Sequence, residues 1–314
     1  MNQGAYGLLF LIRCTIIIFT TWFIMVSYIY TFKTIYAVKR GLTLKKIFIV
    51  LLLFTFLLLT ACNSARVPMH TDQKHMMNMK PVNGEETRSE WTAPDHISAN
   101  QSVTISILIK DKHNKPIKEF ETVSTKKMHL VVVSKDLSYF AHIHPTFKGN
   151  GSFEITTKFP ASGDYKLIAE MTPVGASDYS IENHWLTVQG TPPIPKPIEP
   201  EKERSKVIDG TKVTLSFDEK LAAKKNIDMN FTLSDAVTNK PIKNLQPYLG
   251  TVGHAVAIDK DVNQFMHIHP LYPKGTGPKV VFMTYFPTKG VYKVWGQFNV
   301  NGHILTVPFV LNVE

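Results

Sequence analysis

Hydrophobic and polar residues alternate along much of the chain after residue 90. Residues 102–110, SVTISILIK, follow the period of two that is typical of a half-buried strand. Further short runs, HLVVVS, YFAHIH, SFEITTKF and DYKLIAEMT, follow at intervals of roughly 10–15 residues with turn residues between them, and none has a helical period. About seven short strands in about a hundred residues predict a β-sandwich.

A second series of strands, over residues 213–313, repeats the first. NKPIK occurs at 114–118 and 239–243, and FAHIHP at 140–145 is followed by FMHIHP at 265–270, with the same offset of 125 residues. A register that persists through several motifs indicates an internal duplication. A repeated Gly-x-Tyr is similar to the tyrosine corner of immunoglobulin-like domains. We therefore predict an all-β fold of two tandem immunoglobulin-like sandwiches, at 90–189 and 206–314, joined by a proline-rich linker at 190–205.

The N-terminal part of the chain predicts export. Residues 42–61 combine two lysines, an apolar run and the ending Leu-Thr-Ala before Cys62. This ending is similar to a bacterial lipobox, which implies a lipoprotein signal with Cys62 as the lipidated first residue of the mature protein. The alternative is a transmembrane anchor with an incidental cysteine. Both place the rest of the chain outside the cytoplasm, attached to the cell membrane, and residues 62–89 are predicted to be a polar, flexible tether.

Residues 1–41 leave two interpretations open. The largely apolar stretch 16–32 is just long enough to be an additional transmembrane segment. Alternatively, the start codon lies further downstream and these residues are not translated. In either case the basic residues of the leader account for most of the charge of +10, because the chain after residue 61 has 29 basic and 25 acidic residues. This balance predicts no nucleic-acid partner.

Histidines recur with the duplication and are the candidate metal ligands. Four in each repeat correspond to each other: His129, His142, His144 and His184 in the first, and His254, His267, His269 and His303 in the second. His-x-His on a strand places both rings on one face. A hairpin around Lys135–Asp136, and its counterpart around Lys260–Asp261, is expected to place His129 opposite His142 and His254 opposite His267. The last histidine of each repeat is expected to complete or flank the site.

Imidazole clusters suit copper or zinc, and the tether favours copper. The only cysteines, Cys14 and Cys62, lie in the leader, so no thiolate ligand is available in the exported part. Thioether sulfur selects Cu(I), and the tether contains a further group of candidate ligands: Met69, His70, His75, Met76, Met77 and Met79. The alternative is that the histidines are hydrogen-bonded packing residues and that the methionines cluster by chance.

The run MHLVVVSKDLSYFAHIHP, followed by G-x-F and FPxxGxYK, resembles the YtkA-like and FixH-like exported domains of bacteria. The resemblance implies an immunoglobulin-like lipoprotein. Some relatives are associated with copper resistance or with cytochrome oxidase assembly. The fold is also similar to that of the CopC-like copper-binding sandwiches.

Three functions are compatible with the sequence. The first is a lipid-anchored protein that binds a transition metal, up to two equivalents, and buffers it or passes it to an acceptor. The second is a non-catalytic interaction module for an envelope protein. The third is a zinc hydrolase, which the absence of GxSxG, HExxH, Walker and CxxC motifs disfavours, so no enzymatic activity is predicted.

Overall fold

The computed structural model describes residues 87–314. The predicted leader, lipidation site and tether lie outside these residues. The part of the chain that the structure describes contains no helix long and apolar enough to span a membrane. Its strands are β1 (Arg88–Thr92), β2 (Ser102–Lys110), β3 (Met128–Ser134), β4 (Phe140–Ile143), β5 (Thr146–Gly149), β6 (Ser152–Lys158), β7 (Gly163–Met171), β8 (Ser180–Val188), β9 (Ser205–Ile208), β10 (Thr211–Phe217), β11 (Asn226–Asp235), β12 (His254–Asp259), β13 (Phe265–Ile268), β14 (Lys279–Tyr285), β15 (Gly290–Val300) and β16 (His303–Val313).

The first eight strands form two antiparallel sheets of four strands, with the orders β1-β2-β6-β5 and β4-β3-β7-β8. The first sheet corresponds to the ABED sheet of an immunoglobulin-like domain and the second to its CFG sheet with one more edge strand. The two sheets enclose a core to which β2 contributes every second residue, with Val103, Ile105, Ile107 and Ile109 all nearly inaccessible to solvent.

The last eight strands form a second sandwich, with the orders β14-β11-β10-β9 and β13-β12-β15-β16. It differs from the first sandwich only at its edges, because β5 has no counterpart strand and β9 is an addition. The prediction of an all-β, tandem fold is confirmed.

The tyrosine corner is present in both copies. The hydroxyl of Tyr165 donates to the carbonyl oxygen of Ala161 at 2.8 Å, and Tyr292 donates to Thr288 at 3.0 Å. Each tyrosine is buried at the start of the strand that follows a loop, so the bond fixes how the loop enters β7 or β15.

Strand β3 is buried on both of its faces. Met128, Leu130 and Val132 point into the core of their own sandwich, whereas Val131 and Val133 belong to a separate apolar cluster. This cluster contains equivalent residues of both domains: Val131, Val133, Leu137 and Ile168 from the first, and Val256, Ile258, Val262 and Trp295 from the second. The two sheets that contain β3 and β12 therefore pack against each other, and we call their contacting surfaces the inter-domain faces.

Polar contacts across the inter-domain faces are reciprocal. Lys166 donates to the carbonyl oxygen of Val262 at 2.6 Å, and its equivalent Lys293 donates to that of Leu137 at 2.8 Å. Both acceptors lie in the hairpin turns that follow β3 and β12. The two domains thus use the same patch of surface, as the subunits of a two-fold symmetric dimer do.

Candidate metal centre

Six of the eight predicted histidines meet between the two domains. We call these residues the histidine cluster: His129, His142, His144, His254, His267 and His269. Each lies on an inter-domain face, next to the apolar cluster that contains Val131 and Val256. The structure thus contains one shared group of imidazoles where the sequence predicted a separate group in each domain.

The register of each hairpin differs by two residues from the prediction. Val131 is opposite His142, so that His129 lies opposite His144 where the pairing continues, and Val256 is likewise opposite His267. The pairing of His129 with His142 was therefore wrong, as was that of His254 with His267. A shift of two residues keeps every side chain on its face, which is why the rings still converge.

The turn explains the shift. The backbone N–H of Leu137 donates to Ser134 O at 2.8 Å, and that of Ser134 donates to Tyr139 O at 3.2 Å. Leu137 adopts a left-handed conformation with φ of 54°. The loop is therefore centred after Asp136 instead of before it, and Val262, with φ of 57°, repeats this conformation in the second domain.

Four histidines form the centre of the cluster. The ring centroids of His129, His142, His254 and His267 lie between 4.9 and 6.2 Å from one another in all pairs. A tetrahedral ion with metal–nitrogen bonds of about 2.1 Å places four imidazole centroids about 5 Å apart. The spacing therefore fits one ion between the domains.

His144 and His269 flank this centre. The ring of His144 lies 4.8 Å from that of His142, and the ring of His269 lies 4.7 Å from that of His267. Candidate ligand atoms of His254, His267 and His269 lie within 4.8 Å of one another, as do those of His129, His142 and His267. His267 belongs to both groups, so the cluster is continuous across the domain boundary.

Backbone carbonyls hold the outer nitrogens of two central histidines. Nε2 of His129 lies 3.0 Å from Val123 O, and Nε2 of its equivalent His254 lies 3.2 Å from Tyr248 O. A carbonyl oxygen can only accept, so the proton of each neutral ring is on Nε2 and the lone pair on Nδ1 faces the cluster.

Two tight turns supply these carbonyls, at 123–126 and 248–251. Ser124 and Thr125 have φ of 45° and 69°, and Leu249 and Gly250 have φ of 51° and 79°. The left-handed residues reverse the chain within each turn, which leaves the carbonyl at its first position directed at the histidine. Nothing in the sequence pattern indicates this role of the backbone.

The other two central histidines are held by side chains of the opposite domain. Nδ1 of His142 lies 2.9 Å from Oε1 of Gln297, and Nδ1 of His267 lies 3.1 Å from Oε1 of Glu170. Glu170 and Gln297 are equivalent residues of β7 and β15, so the exchange is reciprocal. The difference between these two residues is visible in the sequence, but their action across the domain boundary is not.

These contacts leave lone pairs directed at each other. Nδ1 of His129 and Nε2 of His142 are 3.1 Å apart, and the proton of each ring is used on its outer side. Buried nitrogens without a hydrogen-bond partner within residues 87–314 include Nε2 of His144, Nδ1 of His254 and Nε2 of His267. A cation between the rings would satisfy these atoms together.

Burial keeps the imidazoles neutral. It lowers the pKa of His129, and lowers the pKa of His142, His254 and His267 still further below the ordinary value of histidine. Burial also lowers the pKa of His144 to about 3. Repulsion between neighbouring rings acts in the same direction. Neutral imidazole is the form that binds a metal.

The two remaining predicted histidines lie outside the cluster. His184 is paired with Leu167, which faces the core of its own sandwich, and its ring stacks on Trp91 at 5.5 Å. His303 is exposed at the start of β16, and Phe309 occupies the place equivalent to that of His184, so the predicted correspondence of these two histidines was wrong. Met128 is fully buried in the core of the first domain and does not face the cluster. The candidate ligands of the tether lie outside the described residues.

Several solved structures are distantly similar to this chain. Invasin, a bacterial integrin-binding protein, is 10% identical with a TM-score of 0.22, over 72% of this chain and 40% of invasin. MtrC from Shewanella baltica is 7% identical with a TM-score of 0.23, over 71% of this chain and 68% of MtrC. A membrane-anchored protein from Corynebacterium diphtheriae is 11% identical with a TM-score of 0.21, over 74% and 58% of the two chains.

No curated protein matches the sequence. A family model does match, and it does so twice, at residues 82–190 and 205–314. The two matches coincide with the two sandwiches. The chain belongs to the family described as a domain of unknown function, DUF8832, and carries two copies of that domain.

Proposed function

We propose that this protein is a membrane-anchored lipoprotein that binds one copper ion between its two domains, outside the cytoplasm, and buffers the ion or delivers it to an acceptor. The observation that carries the proposal is the pair of imidazole nitrogens, on His129 and His142, whose lone pairs face each other at 3.1 Å. Their rings have acceptors on the outer side, so neither has a proton to share.

A packing role does not account for this arrangement. A buried polar atom without a partner costs about 1–3 kcal/mol, and histidines retained only for packing would be expected to bond to one another or to the backbone through both nitrogens. In the cluster, three buried nitrogens have no such partner: Nε2 of His144, Nδ1 of His254 and Nε2 of His267. In a histidine that binds a metal, one ring nitrogen binds the ion, and the other typically donates its proton to a carbonyl or carboxyl oxygen.

The choice of copper rests on the donors and on the predicted location. Neutral imidazoles bind copper and zinc, and the methionine-rich tether adds thioether sulfur, which favours Cu(I) over zinc. The resemblance to YtkA-like, FixH-like and CopC-like domains supports the same metal. Glu170, the carboxyl group at the cluster, is occupied by His267, so it is not available to activate a metal-bound water, and we propose binding without catalysis.

Copper titration of the full chain in detergent tests the proposal. The tether donors are replaced by serine and leucine so that only the domains can bind, and affinity is measured by competition with a chelator. We expect one tight equivalent, weakened more than about 100-fold in His267→Ala because a direct ligand is lost. His303→Ala, which removes an exposed histidine outside the cluster, is the matched control and is expected to bind normally. Equal binding by His267→Ala and His303→Ala would contradict the proposal.

A further inference from the structure

The ligand histidines of each domain are oriented by the other domain. His142 and His267 occupy equivalent places on β4 and β13, and both turn Nδ1 away from the centre of the cluster. The groups that meet these nitrogens are Gln297 for His142 and Glu170 for His267. No backbone carbonyl reaches either nitrogen in the described residues, in contrast to His129 and His254.

The amide of Gln297 lies between Thr306 and His142. Its Nε2 is 3.1 Å from Oγ1 of Thr306, on the neighbouring strand β16, and its Oε1 faces Nδ1 of His142. Oε1 can only accept, which requires the proton of His142 on Nδ1 and leaves Nε2 directed at the cluster. Oε1 of Glu170 accepts from Nδ1 of His267 in the same way when the proton that the buried carboxyl keeps is on its other oxygen, Oε2.

The surroundings of both groups are buried. Gln297 is 6% exposed and the side chain of Glu170 is 12% exposed, so water does not compete effectively for either contact. The side chain of His267 is fully buried, so without Glu170 its Nδ1 would have no acceptor. Each contact therefore decides which nitrogen of the histidine presents its lone pair.

We infer that Glu170 and Gln297 are positioning residues that each domain supplies to a metal ligand of the other, holding His267 and His142 in the tautomer that binds the ion through Nε2. This inference rests on the proposed function. It implies that the metal centre is incomplete within either domain, even though each domain has its own three histidines.

The experiment uses the full chain with the variants Glu170→Leu and Gln297→Leu, which keep the approximate volume and remove the acceptor. The first readout is the nitrogen-15 spectrum of the histidine rings without metal, which distinguishes a protonated nitrogen from one with a lone pair. We expect the wild-type rings of His142 and His267 to be protonated at Nδ1, and the matching variant to lose this preference. The second readout is Cu(II) affinity, expected to fall about 10–100-fold in each variant.

The exchange variant Glu170→Gln with Gln297→Glu is the test of position. One carboxyl and one amide again face the two equivalent histidines, so we expect tautomers and Cu(II) affinity close to those of the wild type. This variant also tests the positioning role if the leucine variants do not fold. An exchange variant that fails to bind copper would overturn the inference. Glu154→Gln, at a surface ion pair with Lys148 on the outer sheet, is the control and is expected to change neither readout.

The outcomes separate the inference from the proposed function. A wild-type chain that binds no Cu(II) at the cluster overturns both. A wild-type chain that binds Cu(II), with leucine variants that bind equally well and keep the same tautomers, overturns the positioning role and leaves the proposed function standing.

Discussion

At the scale of single residues, the histidines that the sequence predicted as ligands lie in different surroundings. His267 follows His142 by the 125 residues that relate the repeats, whereas His303 follows His184 by 119 and is not its structural equivalent. His267 is enclosed by other imidazoles, and His303 is exposed. The repeat identified the candidate ligands because duplication retained them. The similar sequences HWLTV and HILTV suggested that His184 and His303 correspond, but the pairing of the last strand shows that they do not.

The lowered pKa values of the cluster histidines predict that the free energy of unfolding of the metal-free protein depends on pH. Five cluster histidines have pKa values lowered by burial, and that of His144 is about 3. The unfolded chain therefore binds more protons below about pH 6.5, and stability that is fully present above that pH is lost as the pH falls. Each such histidine contributes up to about 1.4 kcal/mol per pH unit within its window. We expect the free energy of unfolding, measured with urea and a chelator, to fall steeply from pH 6.5 to pH 5. A flat profile over this range would contradict the neutral state of the cluster.

Glu170 produces the opposite slope at higher pH. Burial, assisted by the charge of Asp178, raises the pKa of Glu170 to about 8, so the folded protein keeps a proton that the unfolded chain has lost. This contribution is present at low pH and disappears as the pH rises through 8. We expect the metal-free protein to lose about 1–2 kcal/mol between pH 6.5 and pH 8. Glu170→Gln has no group that titrates there and should remove this decline, whereas Glu154→Gln should leave it unchanged.

At the scale of strands, hydrophobic patterns predicted which segments form the sandwich, and they also contained a signal for the second interface. Residues 102–110 alternate because β2 has one buried face. The run HLVVVS does not alternate, and β3 is buried on both faces. The register was not predictable to the residue, because it depends on the left-handed Leu137 within the turn, where no glycine indicated this conformation.

The inter-domain faces are held together partly by one aromatic contact. The rings of Phe140 and Trp295 are stacked at 4.7 Å with an angle of 12° between their planes. Trp295→Ala removes a side chain that is only 4% exposed, and we expect it to lower the free energy of unfolding by about 3–5 kcal/mol. Trp185→Ala, at a tryptophan that is 43% exposed, is the matched control and should cost less than about 1 kcal/mol. Similar losses in both variants, measured by urea unfolding, would show that Trp295 is not part of a stabilising interface.

At the scale of the whole molecule, the sequence predicted two domains and a linker but not their association. Conserved spacing between repeats defines each domain separately, because local periodicity carries no information about which surfaces of two domains meet. The predicted separate sites are consequently replaced by one shared cluster. The shared cluster makes metal binding and domain association parts of one equilibrium.

A cleavable linker measures this coupling. A protease site is inserted beside Ile194, which is 92% exposed, and the full chain is cut after purification. An ion that needs ligands from both halves must tighten their association, so we expect copper to lower the concentration at which the halves separate by at least about tenfold. Analytical ultracentrifugation with copper and with a chelator gives the two values. In the cleaved His267→Ala variant, copper should not change the concentration at which the halves separate. The same result for the cleaved wild-type chain would exclude the coupling.

The reciprocal pair of lysine bonds, from Lys166 to Val262 and from Lys293 to Leu137, has an evolutionary consequence. A single-domain chain with this surface would pair with a second copy of itself and build the same six-imidazole cluster from two polypeptides. Assembly of such a cluster would depend on protein concentration. Its two halves would have to be identical, because both would come from the same gene. Joining the two copies in one gene removes both constraints. It makes assembly independent of dilution, and it allows one position to become glutamate in the first copy and glutamine in the second.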